Sequence, residues 1–370
     1  MVPSLLSGIA MCQYRGSSFY RTEWRGPMAI VNRIALDLAK DFIQVLALDE
    51  NEQEVFNKKL RSNKVLAKLA TLSRTDDCEV AVESCGMSHY WRRECEKLGY
   101  KTVALPPRFV KAYLQGEKND ANDARAIAEA ASRPNRQTVR LKSIEQQDLA
   151  LMVNQREGFV QTRTQFSNRL RGQLAEYGIL LPKRVGTILQ RVPEVLEDDS
   201  NALTLQSRDL INRLYQMLRA VDEEVKALDK HLATQAERNE DSQRLMTLPG
   251  IGPITATSLL ALIGDVSEFK RGRNLSEYLG LVPRQNSSGG KDRLGGITKK
   301  GNTKLRTLLV HGARSALRVA QQRHDRLSLW AQDVAKRRGN NVAAVALANK
   351  HARIIWAMLK NKEDYRMTAA

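Results

Sequence analysis

Two aspartates three residues apart, Asp120 and Asp123, open the alanine-rich stretch GEKNDANDARAIAEA at residues 116–130. Asp120 could cap a helix with its side-chain oxygen, while Asp123 would sit in a first turn whose dipole favours negative charge. The same two residues lie on one helical face, about 5–6 Å apart, where they could turn towards shared metal ions. Two further acids favour the metal. Asp37 and Glu83 sit inside the apolar runs IALDLA and CEVAVES, where an ionised side chain is costly unless something compensates it. Two carboxylates at about 4 Å repel by roughly 4 kcal/mol at an effective dielectric of 20, and a divalent cation removes that cost. Four hard oxygen donors without nearby His or Cys suit Mg²⁺ or Mn²⁺ rather than zinc. A pair of such ions about 4 Å apart is a standard device for cleaving phosphodiesters.

A second constellation is PRQNSSGGKDRLGG, residues 283–296. Ser287 and Ser288 precede two glycines that permit a strained or phosphate-hugging turn, and Arg284, Lys291, Arg293, Lys299 and Lys300 crowd the flanks. A serine here could attack phosphorus, activated by the neighbouring cations or a metal. Spacing alone equally allows a flexible loop that only binds phosphate.

The elements that must position these residues follow from periodicity. RIALDLAKDFIQVLALDE reads as a β-hairpin around a polar AKD turn, with a third strand near 53–60, a helix across NKVLAKLATLS and the strand CEVAVES. A helix near 87–98, the strand KTVALP, a helix near 108–115 and the Asp120 helix complete a mixed sheet with helices on its faces. In such a sheet the first strand and a later parallel strand are neighbours, which would set Asp37 beside Glu83. After ASRPNR the pattern becomes long and helical. Ile211, Leu214, Leu218, Val221, Val225, Leu228 and Leu232 alternate gaps of three and four, a heptad seam that predicts either a helical hairpin with residues 143–178 or a dimerising coiled coil. In LMTLPGIGPITATSLLALIG the P-G-I-G-P turn between two apolar runs resembles a helix-hairpin-helix, with Gly250 and Gly252 letting backbone N–H groups approach a phosphate; a plain tight connection would want the same glycines.

Charge indicates the partner. The net charge is +18 and the pI near 9.9, and residues 271–370 hold 21 Lys and Arg against 6 Asp and Glu. Such a segment would bind nucleic-acid backbones through counterion release, although a basic face can also simply be solvated. Cys12, Cys78, Cys85 and Cys95 have no C-x-x-C spacing, so reduced thiols and no structural zinc are expected. No apolar run reads as a membrane span and no signal peptide is evident, which predicts a cytoplasmic protein without a membrane partner. No GxxxxGK[ST] loop occurs.

Taken in order, Asp37, Glu83, Asp120 and Asp123, then PGIGPITA, YLGLVPRQNSSGGKDRLGGITKKGN and LRTLLVHGAR, the chain resembles the DEDD transposases of the insertion-sequence one-ten family. RIALDLAKDFIQV, KNDANDARAIAEA and RGQLAEYGILLP are most similar to its eleven-eleven subgroup, and the likeness spans about residues 30–360. The resemblance implies an unstructured extension at 1–27 and an α/β RuvC-like (ribonuclease-H-like) domain at 28–138. A helical coiled-coil linker at 139–240 and a mainly α C-terminal transposase domain with a helix-hairpin-helix at 241–365 would follow. It implies an RNA-guided DNA recombinase that inserts and excises an insertion sequence, in which a bridge RNA pairs with donor and target DNA. The tetrad Asp37, Glu83, Asp120 and Asp123 would hold Mg²⁺ (or Mn²⁺). Ser288, the serine before the first glycine, would be the nucleophile, with Ser287 its close neighbour. Gly250, Gly252, Arg284, Lys291, Arg293, Lys299, Lys300, Lys304 and Arg306 would contact nucleic acid. The working form would be a homo-oligomer, a dimer and in the synaptic complex a tetramer. The alternatives are a metal-only RuvC-type endonuclease and a non-catalytic binder. The binder explains four acids in so basic a protein poorly, because carboxylates repel DNA unless a metal intervenes.

Overall fold

The computed structural model describes residues 29–117 and 119–367, so the expectation for residues 1–27 lies outside the described residues. The chain divides into two compact units, residues 1–141 and 142–370.

The first unit is a five-stranded mixed sheet with helices on both faces. β1 (Val31–Leu38), β2 (Phe42–Leu48) and β3 (Glu54–Arg61) form an antiparallel meander; β4 (Arg74–Glu83) and β5 (Lys101–Leu105) run parallel to β1, giving the order β3-β2-β1-β4-β5. Alternation along the strands assigns the faces. Ile34, Leu36, Ile43, Val45, Val80 and Val82 pack against Val65 and Leu69 of α1 (Ser62–Ala70) and against Trp91 and Cys95 of α2 (Ser88–Lys97). Ala35, Leu46, Leu48, Ala81, Val103 and Leu105 face the other way, and pack with the alanines and Ile127 of α4 (Asp120–Ser132). The segment expected as a helix near 108–115 is a single α turn, α3 (Pro107–Val110), followed by a 3₁₀ turn.

The second unit is mainly helical. α5 (Ile144–Ala175) begins with a capping box made by Ser143 and Gln146. It runs antiparallel to α7 (Leu205–Arg238), with α6 (Val185–Glu197) covering the tip. Ile211, Leu214 and Leu218 are buried against Leu170, Leu174, Ile188 and Val192, and Leu232 against Ala150, Val153 and Ala261. The heptad seam is therefore satisfied within the chain. Arg156 with Asp229 and Arg163 with Asp222 (2.8 Å) fix its register. Burial alone would raise the Asp222 carboxyl, but hydrogen bonds from Lys226 and Arg163 outweigh it and hold the group below its ordinary range. The packing of Leu232 on Ala261 joins this helical pair to α9 (Pro253–Ile263), so the region expected as a separate linker shares one unit with the helices that follow.

Those helices are α8 (Glu240–Met246), α9, α10 (Gly272–Tyr278), α11 (Thr303–Ala320), α12 (Arg326–Arg338) and α13 (Asn340–Asn361), with a two-stranded hairpin, β6 (Pro283–Gln285) and β7 (Leu294–Ile297), between α10 and α11. α13 departs from the expectation that no apolar segment is long enough to span a bilayer. It has the length and a mean hydropathy of 1.2, but half of it is buried inside the unit, and Leu347, Ala348, Ala352 and Ile355 belong to the core.

Also on α13, His351 is fully buried and neither ring nitrogen has a hydrogen-bond partner among the described residues. Burial lowers its pKa to about 4, against 6.5 for an exposed imidazole. The folded state thus resists a proton that the unfolded chain accepts. This contribution to stability is intact above the unfolded pKa and is lost as pH falls from about 6.5 towards 4. Denaturant unfolding of the parent should show about 2 kcal/mol less stability at pH 5 than at pH 7 from this residue. His351→Leu should remove that part of the pH dependence.

Candidate active site

Parallel register brings the first two acids together. Leu36 pairs with Val82, so the next residues along the same register are Asp37 and Glu83. Both lie two positions beyond alanines that pack under α4, Ala35 and Ala81, and so project from that same face. Asp37 pairs across with Gln44, and Gln44 with Lys59 on β3. The row Lys59, Gln44, Asp37, Glu83 thus crosses four strands.

The other two acids stand at the start of α4, but neither caps it. Asn119 does, with extended backbone and a side-chain oxygen accepting the Asn122 N–H at 2.8 Å, so the expectation of an Asp120 cap is corrected. Asp120 and Asp123 occupy the first turn, where the helix dipole favours them. Asp120 is exposed and its Oδ2 accepts from Lys59 Nζ at 2.7 Å; half-buried Asp123 has no ion pair among the described residues. The β2–β3 pair also carries the helix start. Gln44, almost fully buried, donates to Asn57 at 2.6 Å, and Asn57 Nδ2 lies 3.5 Å from the Ala121 carbonyl. Among the described residues no three His, Cys, Asp or Glu side chains stand close enough to hold a metal ion as they are. The donor set still fits a hard divalent cation: it is all oxygen, two acids share adjacent strands, and Asp120 already faces a positive charge.

The serine segment is a β-hairpin whose exposed strands carry no apolar alternation. Ser288 bridges Lys291 across Gly289 and Gly290, whose φ values of 56° and 75° make the left-handed two-residue turn that suits a right-twisted hairpin. The two serines differ. Ser287 Oγ donates to Asp292 Oδ1 at 3.1 Å and accepts from Gln285 Nε2 at 3.0 Å and the Arg293 N–H at 3.2 Å. Ser288 is exposed at the tip and its hydroxyl makes no hydrogen bond among the described residues. Asp292 and Gln285, which also meet at 3.2 Å, were not singled out from sequence; the Gly-Gly pair between polar flanks was the available hairpin signal.

The expected nucleic-acid residues separate into two groups. Arg284, Lys291, Arg293, Lys299 and Lys300 are exposed, without ion pairs among the described residues. Lys304 and Arg306 are half-buried, with donors turned to carbonyls within the fold. Lys304 Nζ donates to the Val153 carbonyl of α5, and burial lowers its pKa; Arg306 donates to the Leu279 carbonyl at 3.1 Å and to Thr303 at 3.0 Å. In the P-G-I-G-P turn, Gly250 has a φ of 87° and packs backbone to backbone on α11. A Cβ on it would lie 2.2 Å from the Gly312 carbonyl oxygen, whereas one on Gly252 would meet open space. Helix packing therefore accounts for Gly250, and Gly252 is the one whose surroundings leave room for a phosphate.

Comparison with known proteins agrees with these motifs. A DEDD transposase family of the IS110 type matches residues 34–179, and the family described as Transposase IS116/IS110/IS902 matches residues 242–328. The transposase for insertion sequence element IS1111A of Coxiella burnetii is 40% identical over the whole of both chains. A probable family 20 transposase of Pseudomonas aeruginosa is 41% identical over 91% of this chain and 99% of its own. The transposase for insertion sequence element IS1328 of Yersinia enterocolitica is 34% identical over 90% and 97%. With one family match over the first unit and α5, another over residues 242–328, and a relative 40% identical over the whole of both chains, the chain belongs to the IS110/IS116 family of insertion-sequence transposases.

Proposed function

We propose that this transposase is an RNA-guided DNA recombinase that uses Asp37, Glu83, Asp120 and Asp123 as a metal-binding tetrad and Ser288 as its nucleophile. The observation that carries the serine assignment is the contrast at the hairpin tip, where Ser287 is tied to Asp292 while Ser288 is free to meet a phosphate. The strand order and the adjacent acids support a ribonuclease-H-like reading of the first unit, and the P-G-I-G-P turn supports a helix-hairpin-helix.

When bound, Mg²⁺ or Mn²⁺ would act as a Lewis acid that polarises the scissile phosphate. The protein does the rest. Ser288 Oγ forms a bond to phosphorus as one bridging P–O bond breaks; the serine proton leaves to a base and the departing oxygen takes one up. The resulting serine ester conserves the phosphodiester bond energy, so a strand hydroxyl can reseal the DNA without a nucleotide cofactor. The exposed cations beside Ser288 hold the phosphate and its developing charge. The wider basic surface of residues 271–370 takes DNA and guide RNA in the cytoplasm. With its seam closed inside the chain, self-association would use the outer side of the helical pair, where Leu210 and Met217 are exposed one heptad apart.

Three outcomes test this reading. Labelled DNA should migrate with the denatured polypeptide and map to residue 288. Ser288→Ala should abolish the adduct, whereas Ser287→Ala should retain it at reduced yield; cleavage at parental rate by Ser288→Ala would make the protein a metal-only nuclease. Asp37→Asn and Glu83→Gln should each lower strand cleavage by at least about a hundredfold, with the metal-free melting temperature level or higher because carboxylate repulsion is relieved. Finally, each of Lys291, Lys299 and Lys300 replaced by Ala should lower the slope of log K against log salt by about 0.9 on duplex DNA. Lys304→Met should leave that slope unchanged and lower the melting temperature instead.

A further inference from the structure

Lys59 stands in the same cross-strand row as Asp37 and Glu83 and brings a positive charge to it. Its Nζ lies 2.7 Å from Asp120 Oδ2. A docking role for this pair is weak, because α4 is fastened to β3 twice without it: Arg125 pairs with Glu54 at 2.8 Å, and Asn57 reaches the Ala121 carbonyl. The Lys59 and Asp120 side chains are 56% and 53% exposed, and an ion pair so solvated adds little to stability. Its position matters more than its strength. A lysine ammonium is a compact, hydrated charge on a flexible four-carbon stem, suited to leaving one partner for another.

We propose that Lys59 is the resident counter-cation of the acidic site: it neutralises Asp120 in the metal-free protein, is displaced when a divalent cation takes that carboxylate, and is thereby released towards the DNA phosphate. The proposal rests on the tetrad reading and adds a residue to it. Displacement requires that Lys59 and the metal compete. Removing the ammonium also removes its direct repulsion of the incoming ion.

The test is Mn²⁺ binding to the full chain by titration calorimetry without DNA. Lys59→Met should bind Mn²⁺ about 3- to 10-fold more tightly than the parent, the range expected for deleting one like charge near a partly solvated site. Arg125→Met, which removes the other β3–α4 ion pair, should bind as the parent does. In the parent, reductive methylation of Lys59 read by peptide mass should rise when Mn²⁺ is added, a measurement that needs no substitution. Unchanged or weaker binding by Lys59→Met, or Lys59 reactivity indifferent to Mn²⁺, overturns the displacement while leaving the tetrad standing. Absence of Mn²⁺ binding by both parent and Lys59→Met overturns the tetrad reading and Lys59's role with it.

Discussion

The parallel pairing of β1 with β4 is the constraint from which the acidic site follows. Side chains alternate with a period of two, so a slip of one residue would carry Asp37 to the face packed by Leu36 and leave Glu83 opposite an apolar neighbour. Two differently packed faces prevent that slip. Large aliphatics fill the side under α1 and α2, while Ala35 and Ala81 leave room for α4, itself built on Ala124, Ala128 and Ala131. Small residues on both partners bring the helix close to the strands. Its first turn can then stand near the strand ends that carry Asp37 and Glu83.

The second unit solves a different problem, holding a polar hairpin in a defined shape with almost no core of its own. β6 is exposed throughout and β7 contributes only a half-buried Ile297. Backbone hydrogen bonds compensate. The Thr298 N–H reaches the Val282 carbonyl at 2.9 Å and the Asn286 N–H the Arg293 carbonyl at 3.0 Å, while Ser287, Gln285 and Asp292 tie the arms together nearer the tip. At the base, Arg306 satisfies the carbonyl at the end of α10, and Lys304 fastens α11 to α5. Cations of one short segment thus divide between building the frame and facing solvent.

What could be read in the sequence depended on how local its cause was. The strands and helices of the first unit were legible because each has its own apolar period and ends at a turn signal. The cap at Asn119 was not. In N-D-A-N-D several residues could cap, and only the extended backbone at 119 decides among them. Lys59 was invisible because its partner lies 61 residues away and reaches it only through sheet order and helix docking. The seam from Ile211 to Leu232 was legible, but periodicity left open whether it closes on residues 143–178 or on a second chain, and the structure closes it on α5. Arg156 and Arg163 face Asp229 and Asp222, seven apart on each helix and in opposite order, which is the mark of an antiparallel pair once the two helices are compared. The hairpin around Ser288 escaped because exposed strands show no apolar alternation.

The inward cations explain why net charge alone is a poor guide to which residues touch nucleic acid. Lys304 and Arg306 belong to the most basic part of the chain, yet their donors are used by carbonyls within the fold. An ammonium with an acceptor and a lowered pKa gains less from a phosphate than one hydrated at the surface, since it must first give up an internal bond. At Lys59 the same comparison has the opposite result. Its acceptor is a solvated carboxylate, which a divalent cation can take over with twice the charge. Burial of the acceptor therefore separates a fixed cation from an exchangeable one, and in this protein the exchangeable one lies in the row of acids, on the face covered by α4.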